Sequence, residues 1–229
     1  MSFGWDYEIG PGHDELREAL KKCSRNDILV FAATSNDDLE SVSGMAYPAR
    51  ADGVIAIDAA SSMGEWLPFN PTRDSDFKTH RFTALGEEIK ADLPMQLGGN
   101  KEGWTRMNGT SAATPIAAGI AALVLEFARQ PPLGYAPKVA EVLKQPSVMR
   151  ELLAEAVSVS RGKNEEYRHL VPKKLFDSDG GDPGSWYLNT SPRHHAANSV
   201  LANLRKRFGY TIGDPMNERI RLEWQRALR

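Results

Sequence analysis

The chain has 229 residues, 41% of them hydrophobic and 25% charged, which predicts a globular protein with one sizeable core. The formal net charge of −2 excludes the basic excess that attracts nucleic acids and anionic membranes, so we expect neither as a partner. The single cysteine, Cys23, excludes an intrachain disulfide and a cysteine-based zinc site.

The predicted elements follow one another in the order typical of an α/β protein. Residues 13–23 carry apolar side chains at the spacing of one helix face. The apolar runs at residues 27–34 and 53–60 predict two strands buried on both faces, as is typical of neighbours in a parallel sheet. The small and apolar residues after Ser111 predict a buried helix that ends near Arg129, and not a membrane span.

The charge balance changes near residue 130. Residues 1–130 contain 12 Lys and Arg against 19 Asp and Glu, whereas residues 131–229 contain 16 against 11. The second segment opens with a linker rich in Pro and Gly and continues with patterns that predict mainly helices. We therefore predict one domain over residues 1–130 and a mainly helical extension of unknown role over residues 131–229. The sequence predicts no signal peptide, and it does not assign a compartment.

The stretch NGTSAATP, at residues 108–115, places a serine where a helix is predicted to begin. A serine hydroxyl becomes a nucleophile when a base takes its proton and nearby donors stabilise the oxyanion that forms. The first turn of a helix supplies unpaired N–H groups, and Gly109 allows a substrate to approach the backbone closely. Ser111 is therefore a candidate nucleophile. The alternative is that Thr110 or Ser111 only caps the helix, since both residue types are common caps.

The same stretch resembles the serine motif of the subtilisin-like serine proteases, the subtilases. That motif reads Gly-Thr-Ser-x-Ala-x-Pro and is followed by a helix rich in Ala and Gly. The residues that fill it here are Gly109, Thr110, Ser111, Ala113 and Pro115. The resemblance continues upstream and covers the whole of the first predicted domain.

Two upstream segments carry the rest of the resemblance. In DILVFAATSNDD, Asn36 stands where the family has an asparagine whose side chain donates to the oxyanion, and Ser35 replaces the usual glycine. In MSFGW, the residues Ser2, Phe3 and Gly4 resemble the strand that pairs with the substrate backbone and lines the specificity pocket.

The resemblance implies a three-layer, subtilisin-like α/β fold with a mostly parallel sheet, its N-terminal part missing, plus the helical C-terminal extension. It implies a serine-type endopeptidase that acts on a peptide or protein substrate through an acyl-enzyme on Ser111. The Asn36 side chain and the Ser111 N–H would form the oxyanion hole. Residues 2–4 would bind the substrate backbone, and the chemistry requires no metal ion and no cofactor.

The catalytic Asp and His of this family precede the serine in chain order, before the segment that MSFGW resembles. None of the five histidines matches the family's histidine motif, so the resemblance implies an incomplete domain that is inactive by itself. The missing N-terminal half of the same domain is then an expected partner. The alternative is a catalytically inactive pseudoprotease or fragment that acts as a peptide-binding or partner-binding module.

Overall fold

In the structure, a computed structural model, the chain folds into two compact units. The first comprises residues 1–119 and 159–170, and the second comprises residues 120–158 and 171–229. The residues that the structure describes are 1–5, 12–36, 44–71, 81–131, 133–135, 138–162, 167–175 and 192–208.

A five-stranded sheet organises the first unit. Its strands are β1 (Val30–Ala33), β2 (Val54–Ala60), β3 (Arg81–Leu85), β6 (Ser158–Arg161) and β7 (Tyr167–Leu170), in the spatial order β1-β2-β3-β7-β6. Strand β2 pairs in parallel with β1 and with β3, and β3 pairs in parallel with β7. All residues of β2 are buried, including Asp58, which is the one charged residue in its apolar run. The predicted α/β fold with a mostly parallel sheet is confirmed.

Helix α1 (His13–Arg25) precedes β1, and its apolar residues lie on one face. Leu20 is buried and Leu16 is partly buried, both in a cluster that includes Ala32 of β1 and Val54 of β2. Acidic residues stand in the first turn of α1 and basic residues in its last turn, where each sign of charge complements the helix dipole. The pattern read from the sequence therefore corresponds to a helix packed against the sheet.

An antiparallel ribbon and a long helix follow β3. The ribbon consists of β4 (Ile89–Asp92) and β5 (Trp104–Met107), and helix α2 (Thr110–Arg129) begins directly after it. Ala113 and Ala117, one turn apart on α2, are fully buried. Among the described helices, α2 is the one long and apolar enough to cross a membrane by length and composition, a property that buried core helices share.

The sequence patterns do not predict strands β6 and β7. Each strand has four residues, and their sequences, SVSR and YRHL, contain no apolar run. Backbone pairing defines β7, because Phe82 and Thr83 of β3 lie opposite Arg168 and His169. The segment after residue 130, for which the sequence predicts mainly helices, thus also supplies two strands to the sheet.

The described part of the second unit is mainly helical. It contains α3 (Val139–Val142), α4 (Pro146–Leu152) and α5 (Pro192–Phe208), and a π-helical turn follows α4 directly. Pro146 begins α4, a position at which its missing N–H has little effect. The predicted boundary between residues 130 and 131 stays a prediction. Fully buried leucines and methionine fill this unit: Leu143, Met149, Leu152, Leu153 and Leu204.

A partly buried histidine joins β7 to β3 and should make stability depend on pH. His169 Nδ1 lies 3.0 Å from Thr83 Oγ1, and burial, followed by the charge of Arg161, lowers the His169 pKa below 6.5. The His169 imidazole therefore takes up a proton at a higher pH in the unfolded chain than in the folded chain. The free energy of unfolding should fall as the pH drops below 6.5. Thermal melts at about pH 7.5 and about pH 5.5 should show a smaller loss of Tm in His169→Gln than in wild type. An equal loss in both proteins would contradict this expectation.

Candidate active site

Ser111 is the second residue of helix α2, just after a tight turn. The N–H of Gly109 donates to the Gly86 carbonyl at 2.8 Å, which fixes this turn to the segment that follows β3. The Ser111 hydroxyl donates to the Ser2 carbonyl at 2.9 Å. Two residues that the sequence assigns to one site, Ser111 and Ser2, are thus in hydrogen-bond contact.

Asn36 follows β1, and its side chain reaches the start of α2. Its Oδ1 accepts hydrogen bonds from the Thr110 N–H at 2.8 Å and from the Thr110 hydroxyl at 3.1 Å. Because both partners donate, the oxygen faces Thr110 and the Nδ2 amino group is left free to donate elsewhere. A Cβ atom at position 109 would lie 2.9 Å from Nδ2, so this approach requires Gly109, whose φ is 130°.

Two N–H donors remain at this end of α2. Among the residues that the structure describes, neither Asn36 Nδ2 nor the Ser111 N–H has an acceptor. Backbone N–H groups in the first turn of a helix have no partner within the helix, and they carry partial positive charge. Such an arrangement can stabilise a negative oxygen that develops on a carbonyl next to the Ser111 hydroxyl.

Residues 2–4 form an exposed segment held at both ends. Met1 makes backbone hydrogen bonds to β1, and Trp5 exchanges two backbone hydrogen bonds with Tyr47, at 2.8 and 2.7 Å. Between these anchors Phe3 is 56% exposed, and its ring packs edge-on against Trp5. The segment is therefore accessible to a polypeptide strand. Its contact with a substrate stays a prediction.

Within the described residues, no imidazole is hydrogen-bonded to Ser111. His13 packs near the rings of Trp5 and Tyr47, with centroids 5.7 and 5.9 Å away, and His169 contacts Thr83. The side chains of the other three histidines lie outside the described residues. The described residues also contain no group of His, Cys, Asp and Glu that could hold a metal ion.

A comparison with known protein families assigns the chain to a family. The model of the subtilase family matches residues 1–183, which is 183 of the 229 residues. The chain belongs to the subtilase family. The match includes the serine motif, the Asn36 segment and residues 2–4, and it extends past residue 130. The resemblance read from the sequence is confirmed, and the subtilases are serine proteases.

Individual relatives agree with this assignment to the subtilases. The subtilisin-like protease het-Q2 of Podospora anserina is 36% identical over 116 residues, which cover 50% of this chain and 30% of the relative. The major intracellular serine protease of Bacillus subtilis (strain 168) is 33% identical over 130 residues, which cover 56% and 36%. The chain thus spans about a third of the length of these two relatives.

Solved subtilase-like structures support the fold. The structure of the prenylagaramide maturation protease PagA matches with a TM-score of 0.57 and 27% identity, over 76% of this chain and 58% of that one. A structure of the patellamide maturation protease PatA matches with a TM-score of 0.54 and 26% identity, over 76% and 59%. The subtilisin-like fold predicted for this chain is therefore confirmed.

Three further residues make contacts that the sequence patterns do not predict. Thr110, which the sequence predicts only as a possible helix cap, fixes the Asn36 side chain through its N–H and its hydroxyl. Asp58 of β2 and Arg81 of β3 form a buried ion pair at 2.7 Å. A signal for Asp58 was present, since a lone carboxylate interrupts the apolar run of β2. Nothing local identifies its partner, which lies 23 residues further along.

Proposed function

We propose that this subtilase chain is the part of a serine endopeptidase that carries the nucleophile, with Ser111 forming the acyl-enzyme. One observation carries the proposal. The Asn36 side chain is hydrogen-bonded to Thr110, the residue that precedes Ser111 at the start of a helix. This contact supports the proposal, because acyl transfer needs N–H donors next to a nucleophilic hydroxyl.

In the proposed reaction, Ser111 Oγ attacks the carbonyl carbon of a peptide bond while a base takes the hydroxyl proton. The C–O bond that forms converts the carbonyl oxygen into an oxyanion, which the Asn36 Nδ2 and the Ser111 N–H stabilise. The intermediate collapses, the C–N bond breaks, and the amine leaves with the proton. Water then releases the acyl group from Ser111 in the same way.

The base is proposed to come from outside the residues described here. The Ser111 hydroxyl donates to the Ser2 carbonyl, which orients the hydroxyl but is too weak a base to remove its proton. In subtilases an Asp and a His precede the serine in the chain, and this chain spans 58% of PagA and about a third of its curated relatives. We therefore propose that the rest of the domain supplies the imidazole, and that the 229-residue chain by itself does not hydrolyse peptides.

A fluorophosphonate probe tests both parts of this proposal. The folded 229-residue chain should label at Ser111 no more than Ser111→Ala does, because no base reaches the hydroxyl. Imidazole added to the buffer should raise labelling of the wild type but not of Ser111→Ala, because a free base can then take the proton. Ser62→Ala, which removes an exposed hydroxyl elsewhere, should behave as the wild type does.

The two ways in which this experiment can fail have different meanings. Labelling without imidazole would show that a base already reaches Ser111, and the incomplete-site part of the proposal would be wrong. Absence of labelling even with imidazole would contradict the nucleophile role. That result would favour a catalytically inactive module that binds a peptide strand at residues 2–4, a function that the exposure of Phe3 also suits.

A further inference from the structure

Three buried polar side chains connect the end of β1 to β2 and β3. Arg81 of β3 donates from Nε to Asp58 Oδ2 at 2.9 Å and from Nη2 to Asp58 Oδ1 at 2.7 Å. Thr34, the residue after β1, donates its hydroxyl to the same Asp58 Oδ1 at 2.6 Å. The exposed fractions of Thr34, Asp58 and Arg81 are 0%, 0% and 2%. A bidentate ion pair of this kind has a fixed geometry, so the Asp58 carboxylate holds the Thr34 hydroxyl at a defined place.

Thr34 is also fixed through its backbone. Its N–H donates to the Ile57 carbonyl at 3.1 Å, and its carbonyl accepts from the Ala46 N–H at 2.7 Å. The two residues that follow Thr34 in the chain are Ser35 and Asn36. The network therefore anchors the N-terminal side of the segment that carries the proposed oxyanion donor.

Ser35, between this anchor and Asn36, has an unfavourable backbone conformation. Its φ is 151°, a region that residues with a Cβ atom rarely occupy. On its other side the segment is held by Thr110, whose N–H donates to Asn36 Oδ1. The single proton of the Thr110 hydroxyl is shared between Asn36 Oδ1, at 3.1 Å, and the Ser35 carbonyl, at 3.2 Å. A conformation of this kind persists only where the surroundings fix it from both sides.

We propose that Thr34, Asp58 and Arg81 are positioning residues for Asn36. The ion pair holds the Thr34 hydroxyl, Thr34 keeps Ser35 in its strained conformation, and the strained Ser35 directs the Asn36 amide toward the start of α2. The inference rests on the proposed function, in which Asn36 donates to the oxyanion. It predicts that losing one buried hydroxyl, which touches neither substrate nor Ser111, changes the position of Asn36.

Thr34→Val tests the proposal, because it removes the hydroxyl and nearly preserves the side-chain volume. In this variant the Thr110 amide should exchange its hydrogen roughly fivefold faster or more, since Asn36 Oδ1 no longer accepts from it steadily. The side-chain amide signals of Asn36 in a proton–nitrogen spectrum should shift at the same time. Thr34→Ser, which keeps a hydroxyl, should restore both readouts to the wild-type values.

Thr83→Val is the matched control. Thr83 is a fully buried threonine of β3 that lies opposite Asp58 in the sheet, but its hydroxyl contacts His169. It should lower stability without changing the Asn36 signals or the exchange of the Thr110 amide. If Thr34→Val does not fold, Thr34→Ala removes the same hydroxyl and gives the same comparison.

Two results would overturn the positioning role. One is wild-type exchange of the Thr110 amide in a folded Thr34→Val chain, and the other is equal acceleration in Thr83→Val. Neither readout depends on the reactivity of Ser111. A failure here is therefore distinguishable from a failure of the proposed function, which the fluorophosphonate labelling reports.

Discussion

Replacing Arg81 with Met should lower the free energy of unfolding by about 3–5 kcal/mol, the usual effect of breaking a buried ion pair. Asp58 is fully buried and loses both N–H bonds from the guanidinium, at 2.9 and 2.7 Å. The Thr34 hydroxyl still donates to the carboxylate, but it carries no charge to balance it. The Pro71 carbonyl also loses a donor at 2.9 Å. Urea titrations of the wild type and of Arg81→Met at neutral pH measure the difference.

Two further variants make this result specific to burial. Arg17→Met breaks an exposed pair with Asp14, at 3.3 Å, and should change the free energy of unfolding by less than about 1 kcal/mol. Asp58→Leu combined with Arg81→Met should recover part of the loss, because the buried carboxylate is then replaced together with its guanidinium partner. If Arg81→Met were no more destabilising than Arg17→Met, the ion pair would not be fixed as described.

The parts of the fold predicted from the sequence are those with a strong local pattern. Strand β1 is an apolar run and β2 is an apolar run interrupted by Asp58, and burial on both faces follows from such runs. Strands β6 and β7 have four residues each and depend on a pairing that joins Thr83 to His169 across 86 positions. No local pattern records that pairing, so the helical prediction for this segment omitted the two strands.

The candidate site shows the same division between local pattern and distant contact. Spacing alone left Ser111 as either a nucleophile or a helix cap, and the resemblance to the subtilases added Asn36. The contact that joins these two segments runs through Thr110, 74 residues after Asn36. Propensity would not place Ser35 at a φ of 151°, because that conformation is stable only once both flanking residues are held.

Gly86→Ala should lower the free energy of unfolding by about 1–3 kcal/mol, the usual effect of forcing an extra methyl group into a packed site. The new Cβ atom would lie 2.5 Å from the Ala59 Cβ and 2.9 Å from the Gly109 carbonyl oxygen. Neither neighbour is the end of a flexible side chain, so relief requires movement of the backbone. Because the Gly86 carbonyl accepts the Gly109 N–H at 2.8 Å, that movement should also displace the turn before Ser111.

A second glycine, in helix α2, provides a control for which the free energy of unfolding should change in the opposite direction. Gly119 lies on an exposed face of α2, where an added Cβ atom would meet no described atom within 4 Å. Gly119→Ala should therefore raise the free energy of unfolding by about 0.5–1 kcal/mol, because alanine restricts the unfolded chain and favours the helix. Chemical denaturation of both variants, with exchange of the Thr110 amide, separates the two effects. Faster exchange in Gly86→Ala alone would locate the disturbance at the start of α2. A Gly86→Ala chain as stable as the wild type would mean that Gly86 and the turn before Ser111 are not in close contact.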